Sequence, residues 1–281
     1  MTIAITGATG QLGRLVIQRL LAVMPAADLL ALVRSPDKAA SLGVAARHAD
    51  YNRPETLGPA LAGVETLLLI SGNEVGQRIA QHRNVVDAAT AAGVKRVVYT
   101  SLLHADTSPL SLAPEHLQTE NAIRGSGMAY TILRNGWYVE NHTGAIPNAL
   151  ATGVLPGSAG AGRFSAAARA DYAEAAAAVL TGAGHDNRIY ELAADTAYTH
   201  AEFAAEVSRQ SGKPVAYKDV PQEEYAAALA GAGLPAPVAQ AIASWDAAAA
   251  GDVLFDGSRQ LSRLIGRPTT PLSTAISHAL A

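Results

Sequence analysis

The sequence contains no cysteine. Disulfides, thiolate nucleophiles, CxxC redox pairs and cysteine-held iron–sulfur clusters or zinc are therefore excluded. Any redox chemistry has to come from a bound cofactor. Lysine is scarce, standing only at Lys38, Lys95, Lys213 and Lys218. There is no G-x-S-x-G elbow for a serine nucleophile and no HExxH zinc motif. A net charge of −3 gives no electrostatic footprint for nucleic acid, which needs a clustered basic face. A regulator gripping DNA directly is thus disfavoured, while one acting through a protein partner is not. No apolar run approaches the roughly 20 residues of a membrane helix. No basic-then-apolar leader precedes the first strand, so a cytoplasmic protein without a membrane partner is expected.

What is present is a large apolar fraction, 49% of the chain, enough for a sizeable core. Strand-like and helix-like stretches alternate through the first half. Short β runs stand at Thr2–Thr6, Leu29–Arg34, Val44–Tyr51, Thr66–Ser71, Arg96–Ser101 and Ala129–Asn135. Helical patterns separate them, the first with Leu12, Leu15, Val16, Leu20 and Val23 on one face, later ones over Arg78–Ala92 and Pro114–Arg124. Continuous apolar strands joined by helices predict an α/β fold with a doubly wound parallel sheet. The second half is less regular. Gly153–Phe164 reads as a glycine-rich connection, Arg188–Ala193 as a seventh strand, and Thr199 with Glu202 as a capping box. The expected division is a dinucleotide-binding part at 1–143, with 188–193 returning to the sheet. A smaller lobe from 144–187 and 194–281 would cover the strand carboxyl ends.

"ITGATGQLG" places Gly7, Gly10 and Gly13 between the first strand and an amphipathic helix. The first glycine permits the tight turn, the second lets backbone approach a pyrophosphate, and the third lets helix and strand pack closely. Free N–H groups at the helix start then face the phosphates. The end of the second strand discriminates between dinucleotides. A carboxylate about 20 residues past the loop would bind the ribose 2′-hydroxyl of NAD. Arg34 stands there instead, and a guanidinium suits a 2′-phosphate, so NADP is favoured. Asp50 and Tyr51 end the third strand where an adenine edge would lie, although Asp50 equally suits a turn before "NRP".

Many reductases on such a fold protonate a carbonyl with a tyrosine whose acidity is raised by a lysine four residues on. None of the nine tyrosines has that lysine. Carbonyl–alcohol dehydrogenation and sugar epimerisation are accordingly disfavoured, because both need an acid or base matched to an alkoxide. Tyr130 with Arg134 is a poor substitute, and Tyr138 with His142 a better one unless His142 is a surface loop residue. In "PEHLQTE", Glu115, His116 and Glu120 could place two ligands on one helix face, but such residues on an exposed helix are usually solvated, and no metal is expected. In "LHADTSP", Ser101 and His104 could reach substrate from the sheet edge, or the loop polar groups could satisfy backbone.

Hydride transfer from NADPH to a quinone survives these exclusions. The hydroquinone anion is stable enough for water to protonate, so the site needs positioning and a flat, partly apolar pocket more than a strong acid. "RNGWYVEN" offers one, with Asn135 followed by Trp137 and Tyr138 in a chain only 5% aromatic. Trp137 could instead roof the core under the small lobe. "SGNEVGQR" leaves the fourth strand with Gly72 and Asn73 near a nicotinamide ribose.

Together "ITGATGQLG", "LLLISGNEVGQR", "YTSLLHADTSP" and "LRNGWYVEN" resemble the bacterial type-2 NAD(P)H:quinone oxidoreductases, within the NmrA-like group of atypical short-chain dehydrogenases. "SGK", "LIGRPTT" and "SHAL" extend the likeness over the whole chain. The resemblance implies NADPH-dependent quinone reduction with no flavin, in a cytoplasmic homodimer. It also implies cofactor contacts from Gly7, Ala8, Thr9, Gly10, Gln11 and Leu12, from Arg34, from Ser71, Gly72 and Asn73, and from Asn135, Gly136, Trp137, Tyr138, Val139 and Glu140. Gly72–Asn73 departs from the serines the family often has there. A redox sensor of the NmrA type, binding the dinucleotide with little turnover, is the alternative.

Overall fold

The computed structural model describes residues 1–281. The first half is built of β1 (Ile3–Thr6), α1 (Gln11–Leu21), β2 (Leu29–Val33), β3 (Ala45–His48), α2 (Leu57–Leu61), β4 (Thr66–Leu69), α3 (Arg78–Ala91), β5 (Arg96–Leu102), α4 (Ala113–Gly125) and β6 (Ala129–Asn135). The second half contributes α5 (Glu140–Thr143), α6 (Ile146–Thr152), β7 (Val154–Gly157), α7 (Arg169–Thr181), β8 (Arg188–Leu192), α8 (His200–Ser211), β9 (Ala216–Asp219), α9 (Gln222–Gly231), α10 (Ala236–Ala249), α11 (Gln260–Ile265) and α12 (Leu272–Leu280).

Seven strands form one sheet in the order β3-β2-β1-β4-β5-β6-β8, every pair parallel. β1, β2 and β4 are buried along their whole length because helices cover both sheet faces. One face packs on α2, α3 and α4 through Leu57, Leu61, Val85, Val86 and Ile123. The other packs on α1 and α7, whose Val16, Ile17 and Leu20 meet Tyr172, Ala176 and Val179 in one core. Ile17 is fully on the buried face of α1, whereas the expected Val23 lies beyond the helix and is 68% exposed.

A third core is centred on Phe164, Phe203 and Tyr198, and it gathers Leu102 at the β5 end with residues of α6, β7, α8, α10 and α12. Three features differ from the sequence reading. The glycine-rich connection contains β7, which pairs in parallel with β9 in a separate two-stranded sheet. β3 is only four residues and mostly exposed, as befits an edge strand. α7 and α11 pack on the main sheet's face rather than in the small lobe, since alanines on α7 let it lie close to α1. No helix is long and apolar enough to cross a membrane.

Candidate active site

The carboxyl ends of β1, β2, β3 and β4 open into one cleft of about 910 Å³. This is the crevice where an open parallel sheet reverses its winding, the usual ligand position in such folds. Gly7, Thr9, Gly10, Gln11, Leu12 and Gly13 form its floor, Arg34 and Lys38 one rim, Ser71, Gly72 and Asn73 the other, and Tyr138 with Arg169 the far end.

The floor fits a dinucleotide phosphate. Gly7 sits at φ +58°, a backbone conformation that side chains disfavour, and its carbonyl accepts from Gly10 N–H at 2.9 Å. A Cβ on Gly13 would collide with the Gly7 carbonyl oxygen and lie 2.7 Å from Ala8 Cα. Gly10 caps α1 with no side-chain hydrogen bond, so the first N–H groups of the helix are unclaimed by any cap. Ala8 lies outside the lining because the turn points its methyl into the core.

The β4 exit is held from behind by a buried polar network. Gly72 N–H donates to His82 Nε2 at 2.9 Å, and the Gly72 carbonyl accepts from Arg78 Nε at 2.5 Å. The proton of His82 is therefore on Nδ1, 2.9 Å from Thr119 Oγ1, which in turn donates to the Glu115 carbonyl. Glu115 pairs with Arg78 at 3.4 Å and accepts from Gly76 N–H at 2.9 Å. Burial and the Arg78 charge push His82 down to about 4 and His116 down to about 3. Unfolded histidines titrate near 6.5, so below about pH 6.5 the unfolded chain takes up protons that the folded chain refuses. Stability is thus expected to fall as pH drops from about 6.5 towards 4, by roughly 3 kcal/mol through His82 alone. Urea unfolding across that range should show a flatter acid limb in His82→Gln; an equal slope would assign the loss to other groups.

At the opposite rim, Arg34 is 68% exposed, and its guanidinium reaches across to Glu74 at 3.4 Å. Gln81 Nε2 donates to the second Glu74 oxygen at 2.9 Å and to Asn52 Oδ1 at 3.1 Å. Asp50 lines the cleft and also forms the turn, its Oδ1 accepting from Asn52 N–H at 3.0 Å.

At the β6 exit, Asn135 Nδ2 is 3.5 Å from the Tyr138 hydroxyl, and its buried Oδ1 has no partner. Gly136 is required by close approach: a Cβ there would lie 3.0 Å from the Leu192 carbonyl and 3.1 Å from the Tyr172 hydroxyl. Tyr138 packs edge-on against Tyr172, with the Arg169 guanidinium 4.6 Å from its ring centroid. Burial raises the Tyr138 phenol above its ordinary value, which keeps it protonated.

Asn135, Gly136, Trp137, Val139 and Glu140 stand outside the cleft lining. Glu140 is turned to the start of α7, where it accepts from Arg169 N–H at 2.9 Å. Trp137 packs edge-on against Trp245, whose Nε1 donates to Ser111 Oγ at 2.8 Å. His104, at φ +53°, also stands apart, with Nε2 3.1 Å from Asp256. Ser101 has no free hydroxyl for substrate, because it donates to buried Glu120 at 2.6 Å. Glu115, His116 and Glu120 are not solvated but buried, since Glu120 finds Arg134 at 2.8 Å and His116 finds the Tyr99 hydroxyl at 2.8 Å. His142 is not a surface residue or a partner of Tyr138; it is buried with Nδ1 2.7 Å from the Tyr198 hydroxyl. Sequence reasoning missed Lys38, Asn52, Gln81 and Arg169 as cleft residues. No local pattern marks Arg169, which reaches Tyr138 only through the docking of α7. No group of histidine and carboxylate side chains is arranged to hold a metal ion.

Residues 1–264 match the model of the NmrA-like family. Quinone oxidoreductase 2 of Escherichia coli (strain K12) is 54% identical over 98% of each chain. The crystal structure of NADPH-dependent quinone oxidoreductase QOR2 complexed with NADPH, also from Escherichia coli, has a TM-score of 0.97 at 53% identity, covering 100% of both chains. Citrobacter sp. triphenylmethane reductase complexed with NADP(H) has a TM-score of 0.96 at 42% identity, covering 99% of this chain and 100% of that one. With a family match that takes in the glycine cradle, the Arg34 rim and the β6 exit alike, the chain belongs to the NmrA-like family.

Proposed function

We propose that this chain is an NADPH-dependent oxidoreductase that reduces quinones. The reading is carried by its 54% identity over 98% of its length to a quinone oxidoreductase. When bound, NADPH would supply the hydride that converts a quinone to the hydroquinone monoanion, and water would supply the proton that completes the hydroquinone. The chain's own residues bind and orient. The uncapped N–H groups at the start of α1 hold the pyrophosphate over the glycine floor. Arg34, with Lys38 beside it, takes the 2′-phosphate. Ser71, Gly72 and Asn73 meet the nicotinamide ribose, Gly72 being fixed by His82 and Arg78. Asn135, just behind the cleft with an unpartnered buried Oδ1, would be an acceptor for the nicotinamide end of the cofactor. Trp137 and Trp245, packed edge-on, would offer the small lobe an aromatic surface for a planar substrate.

This chemistry needs positioning more than a dedicated strong acid. Of the four lysines only Lys38 borders the cleft, at the Arg34 rim. On the same reading, residues 1–143 with 188–193 hold the cofactor and the rest of 144–281 faces the substrate, except α7 and α11, which pack on the main sheet; the separate core around Phe164 belongs to the smaller lobe. The protein is taken as a cytoplasmic homodimer, for which light scattering should give twice the chain mass of 28.9 kDa.

NADPH and NADH oxidation with a benzoquinone and naphthoquinone panel tests the function. Arg34→Ala should raise KM for NADPH roughly tenfold or more and leave NADH unchanged, since a charged hydrogen bond of about 1.5–3 kcal/mol is lost, discounted for exposure. Tight NADPH binding without quinone-dependent turnover would favour the redox-sensor alternative.

A further inference from the structure

We propose that Glu74 is an internal competitor for the 2′-phosphate and so sets how strongly the site prefers NADPH over NADH. The inference rests on the assignment of Arg34 above. Glu74 leaves the β4 exit loop on the rim opposite Arg34, and both side chains border the cleft. Their ion pair, Arg34 Nη1 to Glu74 Oε1 at 3.4 Å, spans the opening. The carboxylate is not a freely swinging surface group. Its other oxygen is anchored at 2.9 Å by Gln81, whose own side chain is only 4% exposed and is also tied to Asn52. Gln81 therefore holds an anion against the guanidinium that suits a phosphate.

A 2′-phosphate carries about −1.5 to −2 charges at neutral pH, three strong acceptors and a geometry matched to the guanidinium fork. It has to displace the Glu74 carboxylate from Arg34 and then endure its repulsion from across the rim. NADH brings a neutral 2′-hydroxyl, makes no claim on Arg34 and suffers neither cost. Glu74 thus weakens NADPH selectively and narrows the gap between the two dinucleotides. Because the side chains of Arg34 and Glu74 are 68% and 40% exposed, the effect is modest and is screened by salt.

Dissociation constants for NADPH and NADH, measured by calorimetry on the full chain, test this in wild type, Glu74→Gln, Arg34→Ala and the double variant. The Glu74→Gln change removes the charge but keeps an amide oxygen for Gln81. It is expected to tighten NADPH roughly three- to tenfold, leave NADH in place, and lose most of that gain in about 1 M salt. In the Arg34→Ala background the same change should gain much less. Weaker NADPH binding in Glu74→Gln would overturn the proposal, making the carboxylate a positioner of Arg34. Weaker NADH with NADPH unmoved would overturn it too, putting the carboxylate on the ribose hydroxyls. If Arg34→Ala weakens NADPH while Glu74→Gln changes nothing, the competitor role falls and the Arg34 assignment stands. NADPH binding unmoved by Arg34→Ala would remove both.

Discussion

Gly13→Ala is expected to weaken NADPH binding by about a hundredfold or more. The new Cβ would collide with the Gly7 carbonyl oxygen, with Ala8 Cα at 2.7 Å and the Gly7 carbonyl carbon at 3.0 Å. All are backbone atoms, so no side chain can rotate aside, and α1 has to move away from β1. The N–H groups that face the pyrophosphate move with it, and a displacement of about 1 Å at such a site costs on the order of a hundredfold. The overpacking also destabilises the fold by roughly 1–3 kcal/mol. Gly10→Ala is the graded control. Its Cβ would lie 3.1 Å from the Gly7 oxygen, which a shift of a few tenths of an ångström relieves, so a much smaller loss is expected. Calorimetric NADPH titration with urea unfolding separates binding from stability. Gly13→Ala binding within a fewfold of wild type would refute the close-approach role.

The largest loss of stability is expected from Glu120→Ala. Glu120 is fully buried and accepts from Arg134 Nε at 2.9 Å, Arg134 Nη2 at 2.8 Å and Ser101 Oγ at 2.6 Å. Arg134 is itself 5% exposed. Truncating Glu120 leaves a buried guanidinium short of its bidentate partner, a change that costs about 3–5 kcal/mol. Glu191 at 2.8 Å and Asp106 at 3.0 Å retain part of the compensation, which favours the lower figure. For a chain of 281 residues that corresponds to a fall in Tm of roughly 5 °C. Glu120→Gln keeps an acceptor for Ser101 and should lose less. Arg134 adjoins Asn135, so the Michaelis constant for NADPH should also rise in Glu120→Ala. An unchanged Tm would mean that water replaces the carboxylate and that the cluster contributes no net stability.

The parts of the fold legible in the sequence are those whose causes are local. β1, β2 and β4 are continuous apolar runs, and burial between two helical layers explains each of them. The glycine cradle occupies a single turn, with strand, backbone conformation and helix start all within residues 3–21. The capping box at Thr199 and Glu202 forms for the same reason, its partners being three residues apart. Arg34 is legible from its distance to the loop, because the length of one βα unit fixes where the second strand ends.

The missing cysteine and the missing sequential Tyr–Lys pair are likewise properties of the chain itself; the first excludes thiol chemistry and the second disfavours carbonyl–alcohol dehydrogenation. The surroundings of the chemistry were decided elsewhere. α4 carries Glu115, His116 and Glu120 on a face that reads as polar and therefore exposed, yet that face is buried. A buried polar group needs a satisfied partner, and the partners stand on β5, β6 and α3, 14 to 37 residues away in sequence. His142 is hidden in the same manner by Tyr198, 56 residues on. Arg169 over Tyr138, Glu74 against Arg34 and the docking of α7 beside α1 depend on crossovers that no spacing along the chain records. The sequence by itself determined the dinucleotide floor and the limits on the reaction, since both follow from residue chemistry and short-range geometry. Only the tertiary structure decided which charges meet across the cleft, because that depends on long-range packing bringing polar groups within hydrogen-bond reach.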